Sequence, residues 1–370
     1  MNEIVFQTEK KAQDLHYSVP KTMKAAILTQ QKNPLEIVDN LQLPKHLGVG
    51  QVLVKVYYSG ICGSQLGEID GVKGVDKYLP HLLGHEGSGM VLQVGPGVKH
   101  VKAGDKVVLH WRKGLGIEAN PATYEWNGQK VNAGWVTTFN DYAIVSENRV
   151  TPISQDSNMK VAALFGCAVT TGFGVINNNA KLKTGESVVV FGSGGIGLNM
   201  IQAAALVNAY PIIAVDFHQN RLDLAKEMGA THTLQAPLAN PKEDLLNLLE
   251  GQKADVFIDN TGKPAIIEMG YQLVKSEGRV ILVGVPAADQ NINIHSLDLH
   301  FGKKLIGSHG GDAMPHLDIP LYNKMYMKNK LALNPLITHT FPLHEINKAI
   351  SAMRSGEISG RCMIEMNHDE

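Results

Sequence analysis

The chain has 370 residues, 44% of them hydrophobic, so it can bury more than one core and its length leans toward two domains. Its 34 lysines and arginines nearly cancel 35 aspartates and glutamates, leaving a formal net charge of −1 and no excess that would favour nucleic acid or an anionic membrane surface as partner. Three cysteines are too few for a disulfide framework, and no apolar run reaches the roughly 20 residues of a membrane span, so a cytoplasmic protein acting on small molecules is expected.

Residues 1–22 are polar, lack a periodic pattern and read as a flexible leader. A strand-like run starts at Lys24–Leu28, and others follow at Gln51–Tyr57, Gly89–Val94 and Lys106–Leu109. Turn pairs such as Gly95-Pro96 and Gly104-Asp105 separate them, which predicts a compact β-rich domain reaching about Val150.

Beyond Lys181 the pattern changes to a βαβ unit: strand Ser187–Phe191, glycine-rich turn Gly192–Gly197, helix Leu198–Val207 and strand Pro211–Val215. Strand Ala254–Ile258, helix Lys263–Val274 and strand Gly278–Val283 repeat it, so a parallel sheet is predicted. The tail reads as helices Ile319–Lys330 and His344–Ser355 and a last strand Cys362–Met366.

Gly192, Gly194 and Gly197 form G-x-G-x-x-G directly after an apolar strand, with Gly195 and Ile196 between them and Asp216 about 20 residues on, at the end of the next strand. Gly192 permits a tight turn, Gly194 lets the backbone approach a pyrophosphate, and Gly197 lets the helix pack closely with its N-terminus toward the phosphates. Asp216 can accept hydrogen bonds from ribose hydroxyls and would repel a 2′-phosphate, which favours NAD over NADP, although Arg221 offers a nearby cation.

Three further residues sit in glycine-flanked contexts: Cys62 in Gly60-Ile61-Cys62-Gly63-Ser64, His85 and Glu86 in Gly84-His85-Glu86, and Cys167 after Gly166. Two thiolates and an imidazole suit a catalytic zinc with an open fourth position. Taken singly, each residue is more readily core or surface packing than a ligand, and their spacing does not form a Cys-x-x-Cys pair.

At these residues the sequence resembles the zinc-dependent medium-chain dehydrogenase/reductase family, over about Lys24 to Glu365. The resemblance implies an α/β chain made of a β-rich GroES-like catalytic domain over residues 23–168 and 310–370 and a Rossmann doubly wound parallel-sheet coenzyme domain over 169–309. It implies one catalytic zinc on Cys62, His85 and Cys167, with Glu86 close enough to exchange into its coordination sphere. By the same likeness Ser64 takes the substrate proton, Thr171 and Val283 adjoin the nicotinamide, Arg361 contacts the pyrophosphate and Trp111 lines the substrate pocket. The implied activity is hydride transfer between an alcohol and NAD, giving an aldehyde or ketone, in a homodimer or homotetramer joined through coenzyme domains, with Val280–Ile294 as the contact.

Departures from the family pattern accompany the likeness. Residues 113–134 lack the four cysteines of a second, structural zinc. Gln65 stands where an aspartate usually supports the histidine ligand, Gly67 stands where a relay histidine is common, leaving Glu68 or water, and Gly63 lacks a cation for the pyrophosphate.

The flank His110-Trp111-Arg112-Lys113, with Tyr124, Trp126 and Trp135, mixes aromatic surface with cations and favours a polyhydroxylated, sugar-related or phosphorylated alcohol. The bland counterpart is a solvated loop beside packed tryptophans. His81, His295, His300 and His316 read as surface or structural, His309 as lying near the domain junction, and Cys362 as core packing. Two rival functions stay open: a zinc-free quinone or enone reductase of the same fold, and a non-catalytic NAD-binding redox sensor.

Overall fold

In the computed structural model the described residues are 19–368, so all but the last four positions of the predicted leader lie outside them. Strand Thr22–Leu28 pairs antiparallel with Glu36–Gln42, and together with Thr123–Trp126, Gln129–Asn132 and His81–Leu82 it closes a small barrel. The hairpin at 123–132 was not predicted. Its alternation is short, with Tyr124 and Val131 turned into the barrel core.

Strand Gln51–Ile61 organises the neighbouring sheet. One edge pairs antiparallel with Glu86–Val94; the other pairs with Tyr142–Ser146 along its first half and with Arg361–Glu365 along its second. Strand Arg361–Glu365 therefore completes a sheet begun about 300 residues earlier in sequence, and Ile61, Val91, Leu109, Cys362 and Ile364 share one buried cluster, as predicted for Cys362.

Residues 188–307 form a six-stranded parallel sheet. Numbered within that sheet in chain order, its strands run 3-2-1-4-5-6, the doubly wound arrangement in which ligands bind where the order reverses. Val188–Phe191 and Ile212–Asp216 are buried along their whole length, as strands covered by helices on both faces must be. Helix Gly195–Leu206 starts three residues before its predicted start, capped at Gly194.

The predicted helix Ile319–Lys330 in fact begins at Pro315. Proline is favoured at a first helical position, and Asp318 accepts the Met314 N–H at 2.7 Å, satisfying a donor at the helix entry. Among the described residues no single helix is long and apolar enough to cross a membrane.

Candidate active site

Antiparallel register assembles the first two members of the site. Ser59 lies opposite Gly87, so Cys62, three residues past Ser59, arrives beside His85, two residues before Gly87. Cys62 caps the short helix Gly63–Ile69. Gly166 brings the third member: a Cβ there would meet the Leu109 carbonyl and Glu86 Cα, so only glycine lets the backbone lie on these two strands and deliver Cys167.

One ligand atom from each of Cys62, His85 and Cys167 lies within 4.8 Å of the other two. His85 Nε2 is buried and has no hydrogen-bond partner, while both cysteines are free and buried. A hydrogen bond from Cys167 holds the Cys62 thiol well below its ordinary range, helped by His85 and Arg361; the same bond, together with burial, pushes Cys167 up. A partnerless imidazole nitrogen facing two thiol sulfurs, one already inclined to thiolate, is the donor set of a zinc ion with a free fourth position.

Glu86 stands behind this trio and is not one of its members. It is wholly buried, paired with Arg361, and its Oε2 accepts the Ala168 N–H at 3.1 Å. Ser64 Oγ is buried without a hydrogen-bond partner, and Thr171 adjoins the Cys167 thiol, against which its hydroxyl is turned. Gln65 is buried too; its Oε1 accepts the Cys62 N–H at 3.0 Å and its Nε2 meets His85 Nδ1. A cavity of about 610 Å³ is lined by Gln65, Glu68, His85, Trp135 and the hydrogen-bonded pair His81–Asp76.

The glycine fingerprint lies at the reversal of strand order. Gly192 has φ +99°, and a Cβ on Gly197 would strike the Gly192 carbonyl, as tight turn and close packing require. A Cβ on Gly194 would meet nothing within 4 Å, leaving open space at the helix start. Asp216 is buried, accepts the Ser193 N–H at 2.8 Å and the His218 N–H at 3.0 Å, and has Arg221 at 3.6 Å. Arg361 runs against Gly195, where a Cβ would collide with its Cδ. Ile196 belongs to the helix that packs against Gly172, next to Thr171, and the Val283 N–H donates to the Asp259 carbonyl.

Of the predicted pocket flank, only part reaches the trio. Trp111 lies with its ring 6.3 Å from that of His85 and 4.9 Å from that of His309, so His309 is one aromatic ring away from the trio. Arg112 spreads near Trp111, 5.9 Å from its ring, and donates to His309 Nδ1 at 2.5 Å and to the Ala313 carbonyl at 3.4 Å. Gly310, at φ +63°, makes room for Trp111 and Arg112, a signal the sequence held in Gly310-Gly311.

Of the other aromatic residues of that flank, Trp135 lines the cavity with His85, whereas Tyr124 and Trp126 stand elsewhere. Tyr124 is in the barrel core, its hydroxyl accepting the Ile144 N–H, and Trp126 binds Asn40. Trp135 stacks on Arg149, and Lys113 pairs with Glu118 in the open. Val280 and Ile281 are buried in the sheet, so the predicted contact stretch exposes only its later residues, such as Val285.

Two family models match: the alcohol dehydrogenase GroES-like domain over residues 48–155 and zinc-binding dehydrogenase over 195–324. The chain is 32% identical to alcohol dehydrogenase 6 of Peromyscus maniculatus, over 92% of this chain and 97% of that protein. It is 30% identical to S-(hydroxymethyl)glutathione dehydrogenase of Synechocystis sp., over 90% and 97%. Among solved structures, benzyl alcohol dehydrogenase from Acinetobacter calcoaceticus superposes with a TM-score of 0.83 at 28% identity, covering 94% of this chain and 100% of that one.

Proposed function

Because the chain belongs to the zinc-dependent medium-chain dehydrogenase family and is an alcohol dehydrogenase working with zinc and a nicotinamide coenzyme, we propose how its own residues divide that work. Cys62, His85 and Cys167 hold a single catalytic zinc. The observations that carry this are a His85 ring nitrogen within 4.8 Å of both sulfurs and a His85 Nε2 that is buried with no hydrogen-bond partner. Neither a zinc-free reductase nor a sensor without turnover has a use for that donor set.

When bound, zinc supplies a Lewis acid that lets an alcohol lose its proton near neutral pH, and the coenzyme supplies the hydride acceptor. Ser64 Oγ, buried with no other partner, takes that proton and passes it toward the cavity that Glu68 lines, since Gly67 has no side chain to do so. Glu86, held by Arg361 and the Ala168 N–H, keeps a carboxylate behind the two thiols and is the group available to exchange toward the metal. Thr171 and Val283 flank the nicotinamide, and Trp111 excludes water over the trio.

Gly192, Gly194, Gly195, Ile196 and Gly197 seat the pyrophosphate with Arg361, and Asp216 with Arg221 seats the ribose. A buried carboxylate already in place favours NAD over NADP. The chain divides into a catalytic unit of residues 23–168 and 310–370 and a coenzyme unit of 169–309, working in the cytoplasm. Exposed Leu297 and Phe301, beside edge strand Lys304–Gly307, favour a homo-oligomer joined through the coenzyme unit, which light scattering would test.

The substrate is an alcohol whose tail carries an anionic or polyhydroxylated group. Arg112 is the support for this reading: among the described residues no carboxylate pairs with it, and it lies one aromatic ring beyond the trio. S-(hydroxymethyl)glutathione, named in several relatives, is such an anionic alcohol. Zinc per chain measured alongside an NADH titration is the first test, expecting one zinc and saturable binding. A substrate panel follows, setting sugar alcohols, sugar phosphates and the glutathione adduct against ethanol and benzyl alcohol. Exclusive use of the simple alcohols, unchanged in Arg112→Gln, would remove the reading of the tail.

A further inference from the structure

Gln65 touches two groups whose demands collide once a metal is bound. Its side chain is 1% exposed and is wedged between the Cys62 N–H, which it accepts at 3.0 Å, and His85 Nδ1. The first contact also caps the helix Gly63–Ile69, where the Gln65 N–H returns a bond to the Cys62 carbonyl at 3.0 Å.

A primary amide has one accepting end and one donating end. In the arrangement seen here both ends are satisfied: Oε1 takes the Cys62 N–H, and Nε2 donates to His85 Nδ1, which then must be the bare nitrogen. The ring hydrogen is left on Nε2, the nitrogen turned toward the two sulfurs. A histidine that gives its Nε2 lone pair to a metal must carry its hydrogen on Nδ1 instead. Gln65 then faces two donors, the Cys62 N–H and the His85 Nδ1–H, and whichever way its amide is turned it can accept only one. A carboxylate at the same place would accept both.

We propose that Gln65 is a positioning residue that sets metal occupancy against the cap on Cys62: loading zinc turns the amide over, so that Oε1 takes the His85 Nδ1–H and the Cys62 N–H loses its acceptor. The site consequently binds zinc more weakly than the same ligands would beside a carboxylate, and the strand end carrying Cys62 loosens when the metal arrives, the reverse of the usual stiffening. The inference rests on the assignment of Cys62, His85 and Cys167 as zinc ligands.

The test uses the full chain, metal-free and zinc-loaded, as wild type, Gln65→Glu and Gln65→Met. Hydrogen exchange is followed at the Cys62 amide and zinc affinity is measured by chelator competition, with NADH binding as the check that each variant is folded. The Cys62 amide of the wild type should exchange about tenfold faster after loading, the scale of one lost hydrogen bond. In Gln65→Glu it should stay protected in both states, with zinc bound at least tenfold more tightly. Gln65→Met, which opposes neither donor, should bind zinc no more weakly than wild type. An added negative charge alone could tighten Gln65→Glu, but it cannot produce the wild-type loss of protection. A Cys62 amide as protected in the loaded wild type as in the metal-free one, or a Gln65→Glu affinity equal to wild type, overturns the proposal. A wild type that takes up no zinc at all instead sinks the zinc assignment.

Discussion

Glu86 and Arg361 face each other with almost no access to water, at 0% and 4% exposure of their side chains. Glycines at 60 and 166 close around Glu86: a Cβ on the first would run into its carboxylate and a Cβ on the second into its Cα and Cβ. Removing one member of a buried ion pair strands the other charge, so Arg361→Met should lose about 3–5 kcal/mol of stability in urea unfolding. Glu86→Gln in the same chain should recover much of that loss. An Arg361→Met chain as stable as wild type would show that the pair contributes little.

Cys62→Ser and His85→Ala should leave the glycine fingerprint and its sheet intact. NADH should still bind saturably, whereas zinc should fall well below one per chain and turnover drop by roughly 10³-fold or more, as expected when a Lewis acid worth several kcal/mol is lost. Wild-type rates in a metal-depleted variant would remove the assignment.

Asp216 accepts two backbone N–H groups and holds Arg221 near by. In Asp216→Gly the guanidinium of Arg221 is released and the repulsion of a 2′-phosphate disappears. NADH affinity should weaken roughly tenfold or more, the scale of a hydrogen bond to a charged group, and NADPH affinity should rise. Fluorescence titration with both coenzymes checks it; an unchanged ratio of affinities counts against the ribose role.

His110 adjoins Trp111 in a wholly buried position. Its Nδ1 donates to the Arg112 carbonyl at 2.7 Å and its Nε2 lies 2.9 Å from Thr151 Oγ1, so the neutral ring is the one the fold fits. Burial pulls its pKa down to about 4 from the 6.5 of a free ring. As pH falls below 6.5 the unfolded chain takes up a proton that the folded chain refuses. Stability present in full above that pH should decline by ~3 kcal/mol and level off once pH passes the folded value. Thermal unfolding of wild type against His110→Gln between pH 7 and 4 measures the difference, and parallel curves would refute it.

The coenzyme half was legible because its signals are local: glycines, a strand before them and an acid after the next strand all lie within one βαβ unit. The trio was not legible by spacing. Cys62, His85 and Cys167 meet only because antiparallel register and Gly166 bring distant segments together, and it was likeness to a family that pointed to them. Trp111 and Tyr124 look alike as aromatic neighbours in sequence, yet Tyr124 falls on the inward side of a barrel strand and Trp111 on a segment bent toward Gly310. The two-sided contact of Gln65 and the Glu86–Arg361 pair depend on side-chain meetings that no periodicity encodes.

Strand Arg361–Glu365 fills the second half of an edge begun by Gln51–Ile61, and it carries the counter-ion of Glu86. A ribosome therefore delivers the carboxylate first and its partner only after the whole parallel sheet has been synthesised. The nascent catalytic half must wait with an open sheet edge and an uncompensated acid, while the coenzyme half can mature first. Its closing step is then the docking of strand Arg361–Glu365, and a chain cut just before Arg361 should keep a folded parallel sheet, short of its pyrophosphate cation, while never finishing its catalytic half.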